Sequence, residues 1–279
     1  MALSTFDQVV SALAGGQKIP IGRDANFTPL TLAFHNQIDP ASAGVWKGSP
    51  AAGSFASQAT GLVVVTGGPT PTANTGCIPF DNPVDSGKTL YLGQAHFQCR
   101  QPGTLMIFDR IANWNTINTG SNTTTGLTVP ASPDPRWYNG GVGVECWFET
   151  HVNNGTSRTL TLNYTNSAGV AARTSQTLTV PASEGASPMY RIGLAAGDRG
   201  IRSIQSATIA ATGNANFAIT LLKQIAVLPV SAGGNLYDFS QLGLPIIPVN
   251  CGLSMAFAPS SVSGAVQMDM SGILTLIEG

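Results

Sequence analysis

The sequence predicts an all-β protein: an antiparallel β-sandwich or jelly-roll-like body with an extended N-terminal arm that carries a short helix. Three observations lead there. From about residue 88, strand-length runs recur at roughly 8–15-residue spacing with Gly, Pro and Asn between them. One stretch, TLTLNYTNSAGVAARTSQTLTV (159–180), alternates apolar and polar residues on both sides of a turn. No segment alternates strand and helix patterns as a parallel α/β sheet requires.

The first element is the helix. Ser4 stands as its N-cap with Asp7 three residues on, and Phe6, Val9, Val10 and Leu13 fall on one face at i, i+3, i+4 and i+7. Gly15 and Gly16 end it. A helix this short is unstable alone in water and must dock on its own body or on a neighbour. These four apolar residues are therefore the candidate interaction residues. The run that follows, to residue 80, is rich in Gly, Pro, Ala and Ser, with short apolar runs at 30–34 and 62–66. Residues 1–80 are read as helix plus an interaction arm that wraps or reaches.

Residues 81–230 are read as the body. Its strand-like runs are 89–96, 103–109, 142–150, 159–165, 174–180, 203–211 and 216–227. In the 159–180 hairpin Leu160, Leu162 and Tyr164 point to one face, and alternation resumes at Leu178 and Val180 after the NSAG turn. With Ile204, Ile209, Phe217, Ile219 and Leu221 these residues are the expected core. Residues 231–279 form a C-terminal extension. Its apolar stretch 242–249 is broken by Pro245 and Pro248, and its runs 265–270 and 272–277 are expected to complete the body or contact neighbours.

Charge is the unusual quantity. Only 10% of residues are Asp, Glu, Lys or Arg, against roughly a quarter in an ordinary soluble domain. Low charge weakens repulsion between copies and lowers the cost of desolvating a contact, which suits a protein packed against others. The net charge of −1, with no basic run, argues against a nucleic-acid partner. No run approaches the roughly 20 apolar residues of a membrane span, and the N-terminal residues lack the pattern of an export signal. Cys77, Cys99, Cys146 and Cys251 are thus expected to be reduced and buried, and the sequons at Asn26, Asn122, Asn154 and Asn163 to be unmodified.

Chemistry-bearing motifs fail on their own requirements. DSGKT (85–89) would be a phosphate loop only with Gly at position 82, which is Asn82, followed by Pro83. His96 and Cys99 would project from opposite faces of a strand, and His151, five residues after Cys146, brings no fourth zinc ligand. Gly252-Leu253-Ser254-Met255-Ala256 resembles a nucleophile elbow, yet every His precedes Ser254, the wrong order for that family. Glu145 and Glu149, four apart on a strand, would stand about 13 Å apart, too far for a glycosidase pair. Exposed members of Trp46, Trp114, Trp137 and Trp147 could line a sugar site, but the apolar neighbours of Trp147 place it in the core. The reading is of a protein that is not an enzyme, with no catalytic residue, cofactor or metal.

Between residues 92 and 229 a chain of phrases stands out: QPGTLMIFDRI (101–111), GVGVECWFET (141–150), LNYTNSAGVAARTS (162–175), GDRGIRSIQSATI (197–209) and FAITLLKQIAVLPV (217–230). In this order the blocks resemble tailed-bacteriophage virion proteins encoded among head and structural genes. The resemblance covers about half the chain and implies a capsid-associated decoration or cement protein, often trimeric. Its partners would be the major capsid protein and copies of itself, with no nucleic acid or membrane, in a virion assembled in the host cytoplasm. It brings no catalytic residues. A tail, adaptor or fibre component and a receptor- or carbohydrate-binding β-module remain alternatives.

Overall fold

The computed structural model describes residues 3, 5–23, 33–36, 46–47, 61–65, 67–69, 77–84, 87–118, 123–126, 138–150, 156–182, 188–210, 216–261 and 270–279. Helix α1 is Phe6–Gly15, followed by strands β1 (Gln17–Arg23), β2 (Phe34–Asn36), β3 (Trp46–Lys47), β4 (Gly61–Val64), β5 (Leu90–Cys99), β6 (Gly103–Asn118) and β7 (Thr123–Gly126). After the single turn α2 (Tyr138–Gly141) come β8 (Val144–Thr150), β9 (Arg158–Asn166), β10 (Arg173–Thr174), β11 (Leu178–Val180) and β12 (Pro188–Arg191). The chain continues through β13 (Ile201–Ala210), β14 (Asn216–Val230), β15 (Gly233–Tyr237), α3 (Phe239–Leu242), β16 (Ile246–Ile247), β17 (Leu253–Pro259) and β18 (Met270–Glu278).

The architecture is predominantly β, with a curled, jelly-roll-like half-barrel sheet and a short N-terminal helix, as the sequence predicts. Sheet A runs β15-β5-β18-β1-β3, with β16 also beside β5. Sheet C runs β10-β9-β13-β7, with β11 also on β9. Sheet B runs β14-β8-β12-β2-β17-β6-β4, and β14 pairs with β6 as well. The hydrogen-bonded path β6-β14-β8-β12-β2-β17 therefore returns to β6.

β6 and β14 are the long members, paired from Asn216↔Asn118 to Val230↔Gly103. At strand rise each is about 50 Å long, so the pair serves two cores. One end packs on sheet A: Leu105, Ile107, Leu228, Leu253 and Phe257 meet Leu92, Phe97, Leu274 and Leu276. The other end packs on sheet C: Cys146, Phe148, Phe217, Ile219 and Leu221 meet Leu160, Leu162, Tyr164, Ile204 and Ile209. Inside the curl lie Met106, Phe108, Trp147, Met189, Leu222 and Ala256. Along β14 the outward residues are 217, 219 and 221, then 228 and 230. The change of parity is made by the register shift at Gln224/Ala226, where β14 carries the extra residue; the shifts at Phe217/Ile219 and Leu221/Leu222 place theirs in β6. An extra residue in one strand turns the following side chains to the opposite face.

The expected hairpin is present: Arg173 and Thr174 pair with Tyr164 and Asn163, and Leu178–Val180 with Leu160–Arg158. All ten expected core residues lie in the sheet B–sheet C core, with Leu178 partly buried at its margin. One local expectation needs correction. The N-cap of α1 is Thr5, one residue later than Ser4. Its hydroxyl accepts from Gln8 N while the Gln8 side chain accepts from Thr5 N, a reciprocity that needs a carboxamide or carboxylate at the third helical position. The apolar stretch 242–249 contains the end of α3 and the two-residue β16, because Asp238 caps a helical turn and Gly243 takes a left-handed φ of 70°. The last strand begins at Met270; residues 265–269 lie outside the described residues.

β1 pairs along its whole length with β18, Gln17↔Leu276 to Arg23↔Met270. It buries Ile19 and Ile21 in the sheet A core. β18 and β17 likewise sit inside sheets A and B, between β5 and β1 and between β6 and β2.

Candidate interaction surfaces

The four apolar residues of α1 divide between two jobs. Val9 is buried, and Leu13 rests over Gly93 and near Ile277 on the outer face of sheet A. A Cβ at position 93 would stand 2.9 Å from Leu13 Cδ2 and 3.0 Å from Ile277 Cδ1, so the glycine is what lets the helix lie this close. Phe6 and Val10 face away from the sheet, 68% and 46% exposed. The Phe6 ring meets that of Phe239 in α3 edge-on, centroids 5.5 Å apart. Lys18 Nζ donates to Leu13 O at 2.8 Å, a cation at the negative end of the helix.

The rest of that outer face carries a feature the sequence reading missed. Leu236 is opposite His96, His96 opposite Ile273, and Ile273 opposite Pro20. All four are exposed, while Ala95, Phe97, Leu274 and Ile19 between them are buried. The result is a ridge across four strands that holds no Asp, Glu, Lys or Arg. Its members come from positions 20, 96, 236 and 273, so no local pattern announces it.

Several ionisable groups elsewhere are committed to structural partners. Arg110 and Glu149 form a fully buried ion pair at 3.0 Å inside the curl, and Arg110 also donates to Thr220 Oγ1 at 3.2 Å. Glu145 pairs with Arg191 at 2.9 Å and accepts from Trp147 Nε1 and Gln224 Nε2. The two glutamates thus answer to different arginines. Asp198 accepts from Tyr164, Asn166 and Arg173, tying the loop before β13 to the hairpin. These bonds, the Tyr164 hydroxyl first, hold its carboxyl below the usual range, while burial and Asp198 push the Tyr164 phenol up.

The other candidate residues fall apart in the same way. His96 is exposed and Cys99 buried, on opposite faces of β5. His151 lies outside the described residues. Ser254 is buried with its hydroxyl 3.7 Å from Cys77 Sγ. Lys88 of the DSGKT segment pairs with Glu278 at 3.3 Å, and Thr89 exchanges backbone hydrogen bonds with Gly279 as the chain enters β5. All four cysteines are buried thiols outside any disulfide, and burial pushes the Cys146 thiol well up. Among the described residues no three His, Cys, Asp or Glu side chains converge to hold a metal. Trp147 and Trp114 are core residues. Trp137 lies outside the described residues.

No family model and no curated protein matches the chain. Among solved structures it has likeness to a protein of Bacillus endospore appendages, described as disulfide-linked pili. That match has 16% identity over 53% of this chain and 98% of the other, with a TM-score of 0.21. It also has likeness to structures of infectious bursal disease virus. The Gx strain gives 9% identity over 94% of this chain and 65% of the other, TM-score 0.20; the Gt strain gives 8% over 94% and 81%, TM-score 0.17. Scores this low identify neither a family nor a function.

Proposed function

We propose that this chain is a structural virion protein of a tailed bacteriophage, a decoration or cement protein that binds and stabilises the head shell. The observation that carries the reading is α1: a helix fastened to the body by Val9 and Leu13 that turns Phe6 and Val10 outward. An exposed aromatic beside a second ring, on a chain with 10% charged residues, is a surface for uncharged protein contact. The ordered blocks between residues 92 and 229 support the virion assignment, and the commitment of each described buried acid to a structural partner supports a role without chemistry. The major capsid protein is the proposed partner for Phe6 and Val10.

Purified protein added to bare phage heads tests this. Wild type is expected to co-sediment with heads and to stay bound when salt is raised, because an uncharged contact is little screened. Phe6→Asp combined with Val10→Asp, both at exposed positions, should keep the β-sheet circular dichroism and lose binding. Binding by the double variant, release of wild type by modest salt, or labelling of tails rather than heads would overturn the proposal.

A further inference from the structure

We infer that the outer face of sheet A pairs with the same face of a second copy of this chain, through a two-fold axis lying across the strands between the rows of His96 and Gln98. In three of the four strands a large exposed residue on the ridge is followed, two positions along the same face, by a small one. β15 has Leu236 and Gly234, β18 has Ile273 and Ser271, and β1 has Pro20 and Gly22. The register aligns the small ones into a second row: Gly234 opposite Gln98, Gln98 opposite Ser271, Ser271 opposite Gly22. A shallow cleft of about 320 Å³ bounded by Gln98, Arg100, Gly233, Gly234 and Ser271 borders it on the side of Arg100.

Ridge and trough are parallel and one side-chain step apart, about 7 Å. Rotation about the stated axis lays the ridge of each copy in the trough of the other, as an isologous contact requires. Leu236 then faces Gly234 of the mate, Ile273 faces Ser271, Pro20 faces Gly22, and the His96 ring meets the Gln98 amide. Within these four strands the two rows contain no Asp, Glu, Lys or Arg, and the next charge along β5, Arg100, falls opposite Gln94 of the mate. Lys18 shares the row of Gln94 but lies two strands from β5, about 10 Å across the sheet, with its ammonium held on Leu13 O of α1. Gly93, under Leu13 of α1, falls opposite position 101 of the mate, past the end of its β5 at Cys99. Each helix therefore flanks the other copy at the margin of the contact.

Four strands at about 4.8 Å and seven residues at about 3.4 Å give roughly 450 Å² per copy in projection. That is smaller than the roughly 800 Å² per partner of a stable complex and belongs to the weak, reversible class. The expected dimer has a Kd on the order of 100 μM, and repetition on a shell would make so weak a contact effective. The inference is independent of the proposed function, since it concerns purified chain with no shell present.

Sedimentation velocity from well below to well above that Kd tests it. Wild type should pass from monomer to dimer. Ser271→Ile fills the trough and Ile273→Ser removes the ridge, and each should raise Kd by about tenfold or more. The double variant, which exchanges large and small within β18, should return to within about threefold of wild type, a rescue that only this register gives. Gly234→Leu, at a position with open space around an added Cβ, should also weaken the dimer and guards against misfolding of the β18 variants. A wild type that stays monomeric throughout, single variants that dimerise normally, or a double variant no better than the singles would overturn the inference.

Discussion

Arg110 shows how far a single side chain can be removed from water in this fold. It is fully buried, held by Glu149 and Thr220, with its guanidinium 5.6 Å from the centroid of the Phe108 ring. Desolvating both charges costs several kcal/mol, so the pair is tolerable only while both members stay. Glu149→Gln or Arg110→Met alone should cost about 3–5 kcal/mol, read as a lowered urea midpoint. Arg110→Met with Glu149→Leu should recover most of that, because an apolar pair leaves no charge stranded. A double variant as unstable as the singles would show that the pair does more than balance itself. The sequence displays half of this. Asp109 and Arg110 interrupt an apolar strand in MIFDRIA, a visible oddity. The answering Glu149 is 39 positions away and identifiable only through β14, which pairs with both strands.

At the level of elements, legibility followed the number of buried faces. β9 alternates buried and half-buried positions without a break, and its face, partner and core were all readable from period two. β6 places Leu105, Met106, Ile107 and Phe108 in succession, all buried, because one face meets sheet A and the other fills the curl. Such a run carries no facing information. The role of residues 6–23 was also beyond local pattern, since β1 is a strand by virtue of β18, some 250 positions later. This pairing distinguishes two truncations. Removing residues 2–15 takes away α1 and the burial of Val9 and Leu13, roughly 1.5–3 kcal/mol for each fully buried side chain, and should leave a soluble β-body with a lower melting temperature. Removing residues 2–40 also takes β1 and β2, opens the edge of β18 and uncovers the core on Ile19 and Ile21. That protein should be insoluble on expression. A soluble, cooperatively melting 2–40 deletion would mean that β1 contributes little to sheet A.

The whole molecule is governed by the fact that its two larger cores share strands. Leu228 and Val230 of β14 sit in the core with sheet A, whereas Phe217, Ile219 and Leu221 of the same strand sit in the core with sheet C. β6 is divided likewise, with Leu105 and Ile107 in one core and Ile111 and Trp114 in the other. Loss of either core leaves half of each long strand without its apolar cover, and the backbone pairing from Gly103 to Asn118 runs through both. Independent domains meet through few shared contacts, which is the reverse of this arrangement. One thermal transition is therefore expected, despite a length at which intermediates become common. Leu274→Ala in the sheet A core and Ile204→Ala in the sheet C core each remove a fully buried side chain and should each cost about 2–5 kcal/mol. In differential scanning calorimetry both should shift that same single transition. Two separable transitions, with Leu274→Ala moving one and Ile204→Ala the other, would show that β6 and β14 bend at their bulges and let the cores melt apart.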